Sequence, residues 1–258
     1  MKLKALLTFL YLLSFLHLQA TEEGQKPLKT LVLIIASNSD AYNAFEESWR
    51  SYMHLDPEHF ECYFIRGDET IEQDTIIAGD TIYSKTKECL IPGVLNKTFM
   101  SFEALESRLD EFDFVLRANL SSFFVWPRLQ EFLKNLPKKN VYCGIAHYFL
   151  YYPLTFVNGS GIIFSTDLVR KMLAHRNELV DINIIDDVAM GEFFKRQQVQ
   201  ITHSGAIEIL SEQAWNELKY NIPPNLFHFR IKALEDSTRA ADLRIHKDLF
   251  DIFYSEGA

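Results

Sequence analysis

Residues 30–38, "TLVLIIASN", carry the strongest signal for the fold class of this chain. It is a continuous apolar run, rich in β-branched residues, that stops at polar side chains. A half-exposed strand alternates apolar and polar residues, whereas a strand covered on both faces of a parallel sheet is apolar throughout. The run therefore predicts a central strand of a mostly parallel sheet that is flanked by helices.

The segments that follow alternate between strand and helix patterns. Strand patterns occupy residues 60–67, 80–84, 112–119, 141–147, 199–205 and 225–232. Helical spacing occurs in residues 41–53, 96–109, 127–136 and 186–198, and residues 159–176 predict a strand that leads into a helix with Ser165 as its N-cap. Strands alternating with helices predict an α/β fold, in which ligands bind beyond the carboxyl ends of the strands.

Composition and charge limit the classes of function. The chain has 258 residues, enough for one sizeable α/β domain. It carries 26 basic and 35 acidic residues, which gives a formal net charge of -9. Nucleic-acid binding requires a basic face, so we expect no nucleic-acid partner. A local cluster of Lys and Arg is still compatible with an anionic small ligand.

The N-terminus resembles a targeting segment. Lys2 and Lys4 precede an apolar run over residues 5–18, which is short for a membrane span and typical of a signal-peptide core. Ala20 is the candidate residue before cleavage, although Leu18 departs from the small-residue pattern. The alternative is an uncleaved type II membrane anchor. We expect an exported or secretory-pathway protein with a signal peptide or anchor at 1–20, a linker at 21–29 and one domain at 30–258.

Several segments, taken in order, resemble one family, the β-1,3-galactosyltransferase-like and Fringe-like glycosyltransferases. The segments are "EESWRSYM", "AGDTIYS", "IPGVLNKTFMSFEAL", "FDFVLRANLSSFFV", "YYPLTFVNGSGIIFSTDLVRKM", "IIDDVAMGEFFKRQQV" and "NLFHFRIK". Each is short, and the ordered set, which spans roughly residues 30–232, is the stronger signal. The resemblance implies a GT-A fold and an inverting transfer of a sugar from a nucleotide-diphosphate donor to a hydroxyl of a glycan or glycoprotein. A UDP-sugar is the favoured donor.

The sequence departs from that family at one turn. Where the family has consecutive aspartates that hold a metal, this chain has Asn119, Leu120 and Ser121. Carboxylate oxygens suit hard cations, and Asn and Ser supply no compensating charge. We therefore expect manganese or magnesium to bind this turn weakly or not at all. His228 is the remaining candidate metal ligand, and a structural histidine is the favoured alternative.

Basic side chains are another means of stabilising a leaving diphosphate, because guanidinium forks match phosphate geometry. Arg117 lies two residues before Asn119 and so shares its face of the strand, and Lys97 begins a predicted helix. The candidate donor-binding residues are Arg117, Asn119, Ser121, Lys97, Arg230 and Lys232. The alternative, that Arg117 and Arg230 pair with carboxylates, stays open.

Asp186 and Asp187 are the candidates for the catalytic base, because they resemble the acidic pair that opens a helix in the family. Acidic residues at a helix start are also common caps and dipole partners. The candidate cleft and acceptor residues are Tyr152, Asn158, Gly159, Ser160 and Gly161, where residues 158–161 form either a compact turn or a strand entry.

Three functions follow from these patterns. The first is a glycosyltransferase, and it is favoured by the acidic pair and the basic strand. The second is an inactive glycosyltransferase-like domain that binds a glycan or a protein, and it is favoured by the missing acidic turn. The third is a metal-independent nucleotide binder with another role. Nucleotide binding separates the first from the second.

Overall fold

The computed structural model describes residues 27–37, 42–150, 153–181, 183–234 and 238–255. The strands in these ranges are β1 (Thr30–Ile35), β2 (Phe60–Gly67), β3 (Thr75–Ala78), β4 (Thr81–Ser84), β5 (Phe114–Asn119), β6 (Ser122–Phe124), β7 (Tyr142–Phe149), β8 (Leu154–Ser165), β9 (Ile201–His203), β10 (Ala206–Ile209) and β11 (His228–Ile231). The α-helices are α1 (Asn43–Arg50), α2 (Gly93–Ala104), α3 (Trp126–Lys134), α4 (Thr166–Ala174), α5 (Arg176–Val180), α6 (Asp186–Arg196), α7 (Glu212–Leu218) and α8 (Ala240–Tyr254).

The large sheet has eight strands in the order β3-β4-β2-β1-β5-β8-β7-β9. Four of its seven neighbouring pairs are parallel, namely β2–β4, β1–β2, β1–β5 and β7–β9. The other three are antiparallel. The α/β class with a mostly parallel sheet between helices is therefore confirmed, and β1 is a central strand as its sequence predicts.

β1 is apolar along its length because hydrophobic cores lie on both faces of the sheet. Val32 and Ile34 point to one core, with Trp49 of α1 and Trp126 of α3. Leu31 and Leu33 point to the other, which α2, α4 and α6 cover. All five residues from Thr30 to Ile34 have no exposed surface. A polar side chain in place of any apolar residue from Leu31 to Ile34 would lose its hydration and lie among apolar groups.

A second sheet of three strands, in the order β10-β11-β6, extends the fold beyond β5. β6 begins three residues after β5 ends, and β11 pairs antiparallel with it, so that Arg230 lies opposite Ser122. This pairing brings the C-terminal part of the chain, with its basic residues, to the polar turn that follows β5.

The structure corrects several sequence predictions of secondary structure. The short strands β3, β6 and β10 were not predicted. Residues 158–161 lie inside β8 and form no turn. Lys97 lies in the second turn of α2, and not at its start. Ser165 does occupy the N-cap position of α4, but its hydroxyl accepts from the Val141 amide at 2.9 Å and makes no cap hydrogen bond.

The candidate signal sequence at residues 5–18 lies outside the described residues. Among the helices that are described, none combines the length and the apolar character needed to cross a bilayer.

Candidate functional site

A pocket of about 650 Å³ opens at the carboxyl ends of β1 and β5. The start of α6, the middle of β8, the end of β11 and the start of α2 with the residues before it also line the pocket. Nine of the predicted site residues line it: Arg117, Asn119, Ser121, Asn158, Gly159, Asp186, Asp187, Arg230 and Lys232. Neighbouring parallel strands end at one edge of a sheet, which explains why residues far apart in sequence meet there.

A second cavity, of about 710 Å³, lies between the β3–β4 edge and α2. Its charged side chains include Arg176 and Glu103, which pair with each other at 2.8 Å. It contains none of the predicted site residues. The pocket at the carboxyl edge is therefore the candidate site, although it is slightly the smaller of the two.

Arg117 binds one carboxylate of the acidic pair at the start of α6, that of Asp186. Its guanidinium donates from Nη2 to Asp186 Oδ2 and from Nη1 to the Gly159 carbonyl. Asp187 Oδ2 accepts from the Gly159 amide at 2.8 Å. Of the two interpretations of Arg117 that the sequence left open, pairing with a carboxylate is the one observed. Its fork is already engaged by protein groups, which speaks against a direct role with diphosphate.

Gly159 makes this arrangement possible. A Cβ atom at position 159 would lie 2.6 Å from Arg117 Nη1 and 3.1 Å from Asp187 Oδ2. Real Cβ atoms do not approach other atoms so closely without displacing them. The absence of a side chain therefore lets β8 pass directly against the Arg117–aspartate cluster.

Electrostatics distinguish the two aspartates. Burial raises the pKa of Asp187, the negative charge of Asp186 raises it further, and the positive charge of Arg117 opposes both. A carboxylate whose pKa moves towards neutrality is a better proton acceptor near physiological pH than an ordinary one. Asp186 is fixed by Arg117 and is only 6 % exposed, whereas Asp187 is more accessible from the pocket.

The turn that replaces the acidic motif is held together by the protein's own hydrogen bonds. Asn119 Oδ1 accepts from the Ser121 amide and from Ser122 Oγ, both at 3.1 Å. Trp49 Nε1 donates to the Leu120 carbonyl at 3.3 Å, and Arg239 Nη2 donates to Ser121 Oγ at 2.9 Å. These neutral oxygens already accept hydrogen bonds, one of them from a cation, so they do not fit a divalent metal ion.

Two basic residues of the C-terminal strand face the pocket. Arg230 pairs with Glu208, and Lys232 has no ion pair within the described ranges. Arg239, which precedes α8, adds a third positive charge behind the turn, where it also pairs with Asp242. No sequence pattern pointed to Arg239, because it lies beyond the segments that carry the family resemblance.

The structure contradicts the prediction that Lys97 binds the diphosphate. Its ammonium is fully buried and donates to the Ala36 carbonyl at 2.7 Å and to Glu88 Oε1 at 2.6 Å. Burial also lowers its pKa. Lys97 therefore supports the pocket wall from behind, and Glu88 is the member of that pair that lines the pocket.

His228 is a structural residue in this fold. It is 1 % exposed, its ring stacks on Phe124 with centroids 4.4 Å apart, and burial lowers its pKa to about 3. Neither it nor its neighbours Ser160 and Gly161 line the pocket, and Tyr152 lies outside the described residues. Within the described ranges no three His, Cys, Asp or Glu side chains are grouped to hold a metal ion.

Gly161→Ala is expected to destabilise the protein by about 1–3 kcal/mol. The new methyl group would lie 2.6 Å from His228 Cε1 and 2.9 Å from Phe124 Cζ, and both rings are buried. Urea denaturation measures the change. The double variant with His228→Ala should lose less free energy of unfolding than the two single variants lose together. The reason is that removing the imidazole leaves room for the methyl group. Additive losses would contradict this explanation.

Comparison with known proteins adds a similarity of fold. No protein-family model matches the sequence, and no curated protein matches it. Among solved structures, the chain is similar to the crystal structure of a glycosyltransferase involved in the glycosylation of the major capsid of PBCV-1, with 11 % identity and a TM-score of 0.48. The match covers 84 % of this chain and 98 % of that one. The finding concerns the path of the backbone alone.

Proposed function

We propose that this chain is a GT-A glycosyltransferase that transfers a sugar from a nucleotide-diphosphate donor to a hydroxyl group of a glycan or glycoprotein. A UDP-sugar is the favoured donor. The observation that carries the proposal is the convergence in one pocket of Asp187, a carboxylate of raised pKa, with the basic side chains Arg230 and Lys232. A base and an anion site are the two requirements of this reaction.

In the proposed mechanism, Asp187 accepts the proton of the acceptor hydroxyl as that oxygen attacks the anomeric carbon. Its amide contact with Gly159, at 2.8 Å, fixes the carboxylate at the pocket wall. Asp186, which is held by Arg117, lies beside it, and its negative charge raises the pKa of Asp187. Attack from the face opposite the leaving group inverts the anomeric centre, as the sequence resemblance to Fringe-like enzymes implies.

The leaving diphosphate is proposed to bind at the end of β11. Lys232 offers an ammonium group, and Arg230 retains donors besides the one it directs at Glu208. The pocket volume of about 650 Å³ lies within the ordinary range for small-molecule sites. Because the turn at Asn119 does not fit a cation, we propose that these two side chains stabilise the charge without a metal.

The cellular setting is a proposal that rests on the sequence alone. We propose that residues 5–18 direct the chain into the secretory route, as a cleaved signal peptide or as an anchor, where glycan and glycoprotein acceptors are found.

UDP is expected to bind the chain in calorimetry with manganese present, and equally when a chelator replaces the manganese. Arg230→Ala and Lys232→Ala should each weaken binding by about tenfold or more, because each removes a charge-assisted hydrogen bond. Lys134→Ala, which removes a positive charge from an exposed position of α3, should leave binding unchanged. Loss of binding in chelator would refute the metal-independent site. Failure of UDP and of every other nucleotide to bind would refute the enzyme.

One set of contacts favours the inactive, glycan- or protein-binding alternative. The guanidinium groups of both Arg117 and Arg230 are engaged by carboxylates, and the oxygens of the Asn119 turn already accept hydrogen bonds. A domain that had lost its chemistry would satisfy its polar groups internally in this way. Such a domain need not bind UDP, so the same calorimetry decides between the two.

A further inference from the structure

A chain of hydrogen bonds joins the two sheets across the proposed site, and it runs through two side chains that do not line the pocket. These are His147 of β7, in the large sheet, and Glu208 of β10, in the small sheet. At one end Glu208 holds Arg230, and at the other end His147 meets Asn158. Both of these end residues line the pocket.

The hydrogen bonds in this chain have a defined direction. The Ser160 amide donates to Asn158 Oδ1 at 2.8 Å, which orients the Asn158 side chain with its NH₂ group towards His147. That NH₂ group is nearer to His147 Nδ1, at 3.2 Å, than to Nε2, at 3.4 Å. An amide NH₂ only donates, so Nδ1 must accept and the ring proton must lie on Nε2.

The proton on Nε2 then has a partner. Glu208 Oε2 lies 3.0 Å from His147 Nε2 and accepts from it, while Glu208 Oε1 accepts from Arg230 Nη1. Each donor in the sequence from Ser160 to Arg230 therefore meets an acceptor. Glu208 and Arg230 are also direct neighbours in the β10–β11 register, so this pairing needs no displacement of either strand.

We propose that Glu208 and His147 are positioning residues that fix the Arg230 guanidinium and the Asn158 amide relative to each other, and so set the width of the pocket for a nucleoside diphosphate. This inference rests on the proposed function. An arginine side chain has many rotamers, and a ligand that must order it binds less tightly than one that meets it already ordered. The Glu208 carboxylate, anchored by His147, supplies that order before the ligand arrives.

The position of the ring proton is a test that does not depend on any ligand. Long-range ¹H–¹⁵N NMR of the histidine side chains distinguishes the two neutral tautomers, and the His147 signals are assigned by their loss in His147→Gln. The chain of hydrogen bonds from Ser160 to Arg230, called the relay below, requires the Nε2–H tautomer of His147, in which Nδ1 carries no proton. The Nδ1–H form would overturn it.

Nucleotide affinity gives the second test. His147→Ala removes the donor to Glu208 and should weaken UDP binding by about tenfold. His147→Gln keeps an N–H donor at similar reach and should recover most of that affinity. His175→Ala is the matched control. His175 Nδ1 and Glu178 Oε1 lie 2.8 Å apart in an exposed histidine–glutamate pair, and neither residue lines the pocket. Unchanged affinity in His147→Ala, or equal loss in Ala and Gln, would overturn the positioning role.

Failure of the proposed function can be told apart from failure of the relay. If the wild-type chain binds no nucleotide, the enzyme proposal falls. The relay is then decided by the tautomer and by hydrogen exchange, because releasing Glu208 should speed exchange of the β10 and β11 amides in His147→Ala but not in His175→Ala. Unchanged exchange in both variants would refute the link between the sheets.

Discussion

Arg117→Ala is expected to lower the free energy of unfolding by about 3–5 kcal/mol at pH 7, as is typical when one partner of a buried ion pair is removed. Arg117 is 3 % exposed, and its partner Asp186 is 6 % exposed. Without the guanidinium, the charge of Asp186 is left buried next to Asp187, and the Gly159 carbonyl loses its donor.

The loss should depend on pH with a definite sign. The pKa of Asp187 is higher in the folded protein than in the unfolded chain, where it is near 3.8. The folded state is therefore destabilised as the pH rises from the unfolded pKa through the folded pKa. Arg117 opposes this rise, and removing it raises the folded pKa of Asp187 further. The difference in the free energy of unfolding between the wild type and Arg117→Ala should therefore be largest at pH 7. It should become smaller as the pH falls towards 4.

Urea denaturation at pH 4.5 and pH 7 measures both effects. Arg170→Ala is the control, because it breaks an exposed pair with Asp110 at 2.7 Å and should cost less than about 1 kcal/mol. Arg117→Lys keeps the charge but loses the fork that contacts two acceptors, so it should fall between the wild type and alanine. A loss in Arg117→Ala as small as that in Arg170→Ala would show that the buried pair is unimportant.

Asp187→Asn is expected to reduce sugar transfer by at least about 100-fold, the ordinary contribution of a general base. The readout is UDP release from a panel of UDP-sugars in the presence of glycan acceptors. Wild-type activity should rise with pH as Asp187 loses its proton, with a midpoint above the usual value of 3.8 for an aspartate. The activity of the variant should not show this rise with pH. The variant should still bind UDP, since Asp187 is proposed to act on the acceptor.

The chain contains a closely matched control for this variant. Asp167 is the second residue of α4, as Asp187 is the second residue of α6, and both lie in a first helical turn. Asp167→Asn therefore reproduces any loss of helix-dipole interaction without touching the pocket. Equal activity losses in the two variants would mean that Asp187 serves the helix and does no chemistry.

The fold was largely predictable because the signal for it is local. The apolar run at residues 30–38 required two covered faces, and β1 lies between β2 and β5 with cores on both sides. The spacing of Arg117 and Asn119 placed both on the face that reaches the pocket. By contrast, the antiparallel pairing of β8 with β5 was not predicted, because strand direction depends on the connection and not on the strand's own pattern.

The class of fold, the edge of the sheet that carries the pocket and nine of the residues that line it could be read from the sequence. The partner of each charged side chain, by contrast, is visible only in the folded structure. Arg117 meets Asp186 across 69 residues, Lys97 turns inward to Glu88, and Arg239 reaches Ser121 across 118 residues. Hydrophobic periodicity records which face of an element is buried, whereas the partner of an ion is fixed by distances between elements that no local pattern contains.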